Sequence, residues 1–79
     1  MQIKIFGTGC KKCNELLKEV KNVVAEMGIE AEVEKIEDMK KLVEAGIMLT
    51  PGLMINGKLK VTGRVPNKKD IIKYIEEEK

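Results

Sequence analysis

Two cysteines three positions apart are the residues of this chain best suited to chemistry. Cys10 and Cys13 are its only cysteines, and the sequence contains no histidine. A bond between them would close a very short loop, which removes little entropy from the unfolded chain, so the pair makes a poor structural crosslink. Two thiols at this spacing instead suit reversible disulfide exchange or the binding of a soft metal ion.

The residues around the pair predict that it lies where a strand gives way to a helix. Residues 3–6 form a β-prone run closed by a glycine-rich loop, and apolar residues then recur at three- and four-residue steps over residues 16–27. Free backbone N–H groups at a helix start favour an anion, and the pKa of a thiol there falls from about 8.5 to between ~3.5 and ~7.5. Cys10 would occupy that position, with Cys13 one helical turn later and within reach of its sulfur.

Two lysines separate the cysteines, and they oppose the helix dipole. A cation in the first helical turn costs ~0.3–1 kcal/mol when it is exposed, so stability alone would favour Asp or Glu at these places. Local rules tend to be broken at functional sites. Lys11 and Lys12 are therefore predicted to stabilise a thiolate or to meet an acidic partner. The alternative is that they are ordinary solvated residues of a lysine-rich surface.

The remaining pattern predicts three more strands and a short second helix. Residues 31–36 alternate as a strand, and Asp38 caps a helix that ends at Gly46. Apolar runs at residues 53–55 and 58–61 flank an Asn-Gly pair, which is the strongest short-range signal for a hairpin.

A third helix is predicted at the end of the sequence. Asn67 is its capping residue, and Asp70 follows three residues later as a partial capping box. The three glutamates at residues 76–78 meet the negative end of the helix dipole, so this end is expected to fray.

The order of elements is strand, helix, strand, helix, strand, strand, helix. A strand–helix–strand unit forms a parallel pair with a right-handed crossover, and the hairpin adds antiparallel strands. The predicted class is α/β: a minimal β-α-β-α-β-β-α arrangement with a mixed four-stranded sheet and three helices. A sequence of 79 residues is expected to form one domain over residues 1–79.

Composition excludes several classes of function. The net charge is +2, with 15 basic and 13 acidic residues interspersed, so no basic field for nucleic acid is predicted. No apolar run approaches membrane-spanning length, and the first residues are too polar for a signal peptide. We expect a cytoplasmic protein, where disulfides are usually transient. The 14 lysines and 11 glutamates lean towards a thermophilic source.

Together these motifs resemble the thioredoxin superfamily, in particular the small archaeal and bacterial thioredoxin-like, glutaredoxin-sized redox-active disulfide proteins. The Cys-x-x-Cys of that family is matched by Cys10 and Cys13. Its cis-proline, which opens the strand after the second helix, is matched by Pro51 after Thr50. Its glycine-containing loop before the last helix is matched by residues 62–65.

The resemblance implies a reductase of protein disulfides. Cys10 would attack the substrate disulfide, and Cys13 would resolve the mixed disulfide. The substrate's extended chain would lie beside the proline. The residues implied to contact it are Gly9, Lys11, Lys12, Thr50, Pro51, Gly63 and Arg64. The resemblance further implies a monomer without cofactor or metal, whose partners are disulfide-containing proteins and a thioredoxin-reductase-like electron donor.

The chain also departs from the family pattern. Thioredoxins usually have Trp before the first cysteine and Gly-Pro between the two, where this chain has Gly9 and a Lys-Lys pair. They bury an acid on the first strand of this unit, where this chain has Lys4. Glutaredoxins usually have Cys-Pro-Tyr-Cys and Thr-Val-Pro, and neither is present, so use of glutathione is not implied.

Two other functions compete with the redox hypothesis. Small copper chaperones also place Cys-x-x-Cys after a first strand, and thiolates suit Cu(I) and Zn, so the pair could serve a soft-metal carrier. Such carriers end in a strand, however, whereas residues 67–79 predict a helix. A binding domain without catalysis would not need the cysteine pair. Met48 and Met54 flank Pro51 and are candidates to line a substrate groove, with core packing as the alternative.

Overall fold

The computed structural model of this chain describes residues 1–7 and 11–78. Its elements follow the predicted order. They are β1 (Gln2–Phe6), α1 (Lys11–Met27), β2 (Glu32–Ile36), α2 (Met39–Glu44), β3 (Gly52–Ile55), β4 (Lys58–Thr62) and α3 (Lys68–Glu77).

The four strands form one mixed sheet in the order β2-β1-β3-β4. β1 runs parallel to β2, with Gln2 opposite Glu32 and Phe6 opposite Ile36. β3 is antiparallel to both β1 and β4, and its pairing with β4 is interrupted by a bulge after Leu53. The α/β class, the mixed four-stranded sheet and the three helices predicted from the sequence are therefore confirmed.

The main core lies between one face of the sheet and the helices α1 and α3. Alternation along β1 turns two isoleucines to this face, and the three- to four-residue spacing in α1 turns one stripe of the helix to meet them. The buried members of this core are Ile3, Ile5, Leu16, Val20, Val23, Leu53, Ile55, Val61, Ile71 and Ile75.

A smaller core covers part of the opposite sheet face, beneath α2. Phe6 and Ile36 pack there against Leu42 and Ile47. The Asp38 side chain accepts a hydrogen bond from the Lys40 N–H at 2.9 Å, which confirms the predicted cap. With only six residues, α2 covers this face where β1 and β2 end.

The carboxyl end of α3 is held by the sheet, and the expectation that it frays was wrong. Lys60 of β4 lies 2.9 Å from the Glu78 carboxylate and 3.8 Å from that of Glu77. Asn56 donates to the Glu78 carbonyl at 3.3 Å and accepts from the Gln2 N–H at 2.9 Å. Hydrogen bonding between Lys60 and Glu78 raises the pKa of the ammonium and lowers the pKa of the carboxyl.

Candidate functional site

The predicted site is only partly within the described structure. Gly9 and Cys10, the predicted substrate contact and the predicted nucleophile, lie outside the described residues. The structure does describe Cys13, both lysines between the cysteines, and the predicted contacts around Pro51 and Gly63. The roles assigned to Gly9 and Cys10 therefore stay predictions from the sequence.

Cys13 is completely buried at the start of α1, where it meets the end of β1. Its side chain is 0% exposed, and it is disulfide-bonded in the structure. A Cβ atom added to Gly7 would lie 2.1 Å from the Cys13 Sγ and 2.8 Å from its Cβ. The Gly7 N–H donates to the Ile36 carbonyl at 2.9 Å, so this glycine continues the β1–β2 ladder. The Cys13 sulfur thus packs directly against backbone.

Sequence reasoning missed Gly7, which it treated as part of a loop. Nothing in the spacing of residues marked it, because its importance comes from a contact between the end of a strand and the first turn of the following helix. The only available signal was its place in a strand–glycine–Cys-x-x-Cys run, which did not reveal that contact.

Lys11 and Lys12 are exposed in the first turn of α1, as the sequence predicted. That turn contains no acidic residue. Among the residues that the structure describes, neither lysine forms an ion pair with a carboxylate. Two unneutralised positive charges therefore lie within three residues of the buried Cys13 sulfur.

The Thr50–Pro51 peptide bond is cis, as the family resemblance implied. Pro51 is buried, and its carbonyl accepts a hydrogen bond from the Gly63 N–H at 2.9 Å. Gly63 has a φ of +80°, and a Cβ added there would lie 3.2 Å from the Leu49 side chain. The structure therefore brings together the segments that contain Pro51 and Gly63, each of which had been predicted separately to contact the substrate.

Arg64, the last of the predicted contacts, is exposed beside Gly63. Its guanidinium lies 3.8 Å from the Asp70 carboxylate at the start of α3. An exposed pair at this separation contributes little to stability. The Arg64 side chain can therefore leave Asp70 at small cost.

The chain segment before Pro51 exposes large apolar side chains. Met48 is 95% exposed, Leu49 is 64% exposed, and Met39 and Val43 on α2 are also exposed. Large apolar side chains grouped on a surface mark interaction sites more often than chance. Of the two methionines considered as candidates to line a substrate groove, Met48 is thus on the surface, whereas Met54 packs against the smaller core.

Lys4, at the position where thioredoxins bury an acid, faces away from Cys13. Alternation along β1 puts Lys4 and Phe6 on the α2 face, opposite to Gly7. There Lys4 lies next to Glu34 in the parallel register, and both line a cavity of about 320 Å³ beneath α2. Neither side chain is therefore placed to contact the Cys13 sulfur directly.

Two further properties concern only residues 1–7 and 11–78. No helix in these ranges is both long and apolar enough to cross a membrane. No group of three or more His, Cys, Asp or Glu side chains in them could hold a metal ion.

Comparison with known proteins gives consistent matches. Residues 1–76 match the family model described as a thioredoxin domain. A protein named thioredoxin from Methanothermobacter thermautotrophicus is 47% identical over 75 residues, which cover 95% of this chain and 97% of the relative. A thioredoxin from Methanocaldococcus jannaschii is 39% identical over 69 residues, which cover 87% of this chain and 79% of the relative.

Proposed function

Because this chain belongs to the thioredoxin family, we propose that it is a thiol–disulfide oxidoreductase that reduces protein disulfides through Cys10 and Cys13. The observation that carries the proposal is the complete burial of the Cys13 sulfur in the first turn of α1. A buried second thiol cannot meet a protein disulfide first, so this role falls to the cysteine that precedes it by three residues.

The reaction consists of two exchanges. The Cys10 thiolate attacks one sulfur of the substrate disulfide, the substrate S–S bond breaks, and the first substrate thiolate leaves and takes up a proton. The deprotonated Cys13 then attacks the Cys10 sulfur of the mixed disulfide and releases the second substrate thiolate. The substrate gains two electrons and two protons, and the chain is left with a Cys10–Cys13 disulfide.

The oxidised chain needs an external dithiol or reductase to return its two electrons. We assign this step to a thioredoxin-reductase-like electron donor. The chain itself needs no resident cofactor, because both exchanges use its own thiols.

The substrate chain is proposed to lie across the cis-proline segment. Proline has no backbone N–H, so Pro51 would donate no hydrogen bond that competes with the substrate for the sulfurs. An extended substrate segment would pair with the backbone next to it, as in other strand additions. Thr50, Gly63 and Arg64 are proposed to border this groove on one side, and Gly9, Lys11 and Lys12 are proposed to border it from the cysteine side.

The exposed apolar side chains next to this groove support a protein rather than a small molecule as substrate. Met48 and Leu49 present apolar surface beside Pro51, which a small disulfide would leave largely uncovered. The unneutralised lysines of α1 would favour substrates with acidic residues near their disulfide.

The cellular setting follows from the same proposal. We propose that residues 1–79 act as one domain and as a monomer in the cytoplasm, where reduced thiols predominate and a disulfide is transient. A thermophilic source is proposed on the lysine and glutamate content alone.

The deciding experiment combines turnover with trapping. The purified chain is given dithiothreitol and insulin, and precipitation of the reduced insulin B chain is followed. We expect catalysis by the wild type and none by Cys10→Ser, while Cys13→Ser, incubated with insulin without dithiothreitol, accumulates a mixed disulfide on Cys10.

Two results would contradict the proposed function. One is a Cys10 thiol whose pKa equals that of free cysteine. The other is a cysteine pair that stays reduced when oxidised dithiothreitol is in large excess. Stoichiometric Cu(I) binding at the pair, without insulin turnover, would favour the metal carrier instead.

A further inference from the structure

We infer that Gly7 is a positioning residue for Cys13, and that its missing side chain sets both the redox equilibrium of the cysteine pair and the rate of the second exchange. The inference rests on the proposed function, since it concerns the reactions of Cys13. Of the glycines that the structure describes, Gly7 is the one at which an added Cβ would come closest to another atom. A Cβ at Gly7 would lie 2.1 Å from the Cys13 Sγ, well below the 3.0 Å that real Cβ atoms respect.

The glycine is required for space and not for backbone conformation. Four other glycines, at residues 28, 46, 57 and 63, have positive φ values that an L side chain rarely adopts. Gly7 is not among them, so its backbone conformation is open to any residue. The obstacle to alanine at this position is that its methyl group would overlap with the Cys13 sulfur.

Neither backbone near this contact can easily give way. Gly7 is held by its hydrogen bond to Ile36, and the preceding Phe6 is buried under α2. On the other side, Leu16 and Val20 anchor α1 in the main core with no exposed surface. Turning the Cys13 side chain into another rotamer would relieve the 2.1 Å contact with Sγ, whereas the 2.8 Å contact with Cβ needs a small backbone shift in either redox state.

The two redox states differ in how far they allow that rotation. In the disulfide, the S–S bond fixes the Cys13 sulfur, so the clash remains. In the dithiol, no S–S bond fixes the sulfur, so the side chain can turn away from residue 7. A side chain at this position therefore destabilises the disulfide relative to the dithiol, and the protein becomes more oxidising.

Displacement of the Cys13 sulfur should also affect the two exchange steps differently. The first attack uses only the Cys10 sulfur and leaves Cys13 as a bystander. The second attack forms the Cys10–Cys13 bond and breaks the bond to substrate, so it needs the Cys13 sulfur in its wild-type place. Gly7→Ala should therefore slow release of the reduced substrate without slowing its capture.

The test compares wild type with Gly7→Ala in two measurements. In redox buffers of reduced and oxidised dithiothreitol, we expect the equilibrium constant for disulfide formation to fall at least ten-fold, which is about 30 mV towards a more positive potential. In single-turnover reactions with a fluorescent peptide disulfide, the mixed disulfide should persist at least ten-fold longer, while capture stays within two-fold.

Val23→Ala is the matched control for a general loss of stability. Val23 is fully buried on α1 in the main core, so its truncation weakens the same helix without touching Cys13. It should leave the equilibrium constant and the lifetime of the mixed disulfide at wild-type values. A loss of stability acting alone would move both variants together, and that result would overturn the inference.

A thermodynamic cycle covers the case in which Gly7→Ala folds poorly. The cost of Gly7→Ala in unfolding free energy is measured with the cysteine pair oxidised and with it reduced. We expect a larger cost in the oxidised chain. Equal costs in the two redox states, or a wild-type potential in Gly7→Ala, would overturn the inference. A wild-type chain that forms no disulfide would instead refute the proposed function.

Discussion

The glycines at residues 57 and 63 offer a matched pair of substitutions at the candidate substrate groove. Both have a φ of +80°, so alanine meets the same left-handed backbone cost at either position. Their surroundings differ, since a Cβ on Gly63 would lie 3.2 Å from Leu49, whereas nothing lies within 4 Å of one on Gly57. Gly57→Ala is therefore the control for Gly63→Ala.

The stability cost follows from the backbone. A left-handed residue with a side chain costs ~1–2 kcal/mol, and alanine recovers ~0.4–1 kcal/mol by restricting the unfolded chain. Both variants should thus lose about 1 kcal/mol, which lowers Tm by ~4–8 °C in a domain of this size. The added cost of the Leu49 contact should be small, because this side chain is 64% exposed and can turn aside.

The two variants should differ in activity. Gly63→Ala moves Leu49 and disturbs the hydrogen bond from residue 63 to the Pro51 carbonyl, where the substrate chain is proposed to bind. We expect its kcat/KM for insulin reduction to fall about ten-fold, equivalent to ~1.4 kcal/mol of transition-state stabilisation. Gly57→Ala should keep wild-type activity.

Thermal unfolding and insulin turnover are measured on the same preparations of both variants. Equal losses of activity would refute a role of the Leu49 contact, since the backbone cost shared by both variants would then explain the whole effect. A Gly63→Ala variant as stable as the wild type would contradict the backbone cost, since the left-handed conformation would then carry no penalty.

Three further predictions concern charge and apolar surface. Pairing with Lys60 lowers the pKa of Glu78, so its contribution to the free energy of unfolding is present above the ordinary pKa of 4.5 and disappears as pH falls through the folded pKa. Urea unfolding of the wild type and Glu78→Gln should therefore give different free energies at pH 7 and converging values in acid. Lys12→Glu should gain ~0.3–1 kcal/mol in unfolding free energy, because an acidic residue in the first turn favours the helix dipole. Its Cys10 thiol should nevertheless react more slowly with iodoacetamide, and a faster reaction would contradict the role of Lys12 in stabilising the thiolate. Met48→Ser should lower kcat/KM for insulin about five-fold and leave kcat/KM for a small disulfide unchanged. The control Leu59→Ser, at a 41% exposed residue of β4, should leave kcat/KM unchanged for both substrates.

Much of the fold could be predicted because its determinants are local. Caps such as Asp38 and Asn67 act within three residues, and the Asn-Gly turn fixes its hairpin by backbone conformation alone. The cis-proline was predictable for a different reason, since only ~5–6% of X–Pro bonds are cis and the family resemblance alone indicated it.

What escaped prediction depends on contacts between elements. The glutamates at the end of α3 looked unfavourable from the helix alone, and only the lysines of β4 give Glu77 and Glu78 partners of opposite charge. Met48 and Met54 are the same residue type at similar distances from Pro51, so composition could not tell which would be exposed. The close contact between Gly7 and Cys13 likewise exists only once strand and helix are assembled.

The bulge in the pairing of β3 with β4 has a consequence for how molecules of this protein meet one another. A protein proposed to bind extended chains must keep its own sheet edges from pairing with other copies, and a regular edge strand invites such aggregation. The irregular register after Leu53 breaks the hydrogen-bond repeat of β4, and the exposed Lys58 adds a charged side chain at its start. On the opposite edge, Glu32 and Glu34 of β2 repel a second copy. Strand addition is thereby discouraged at both edges of the sheet.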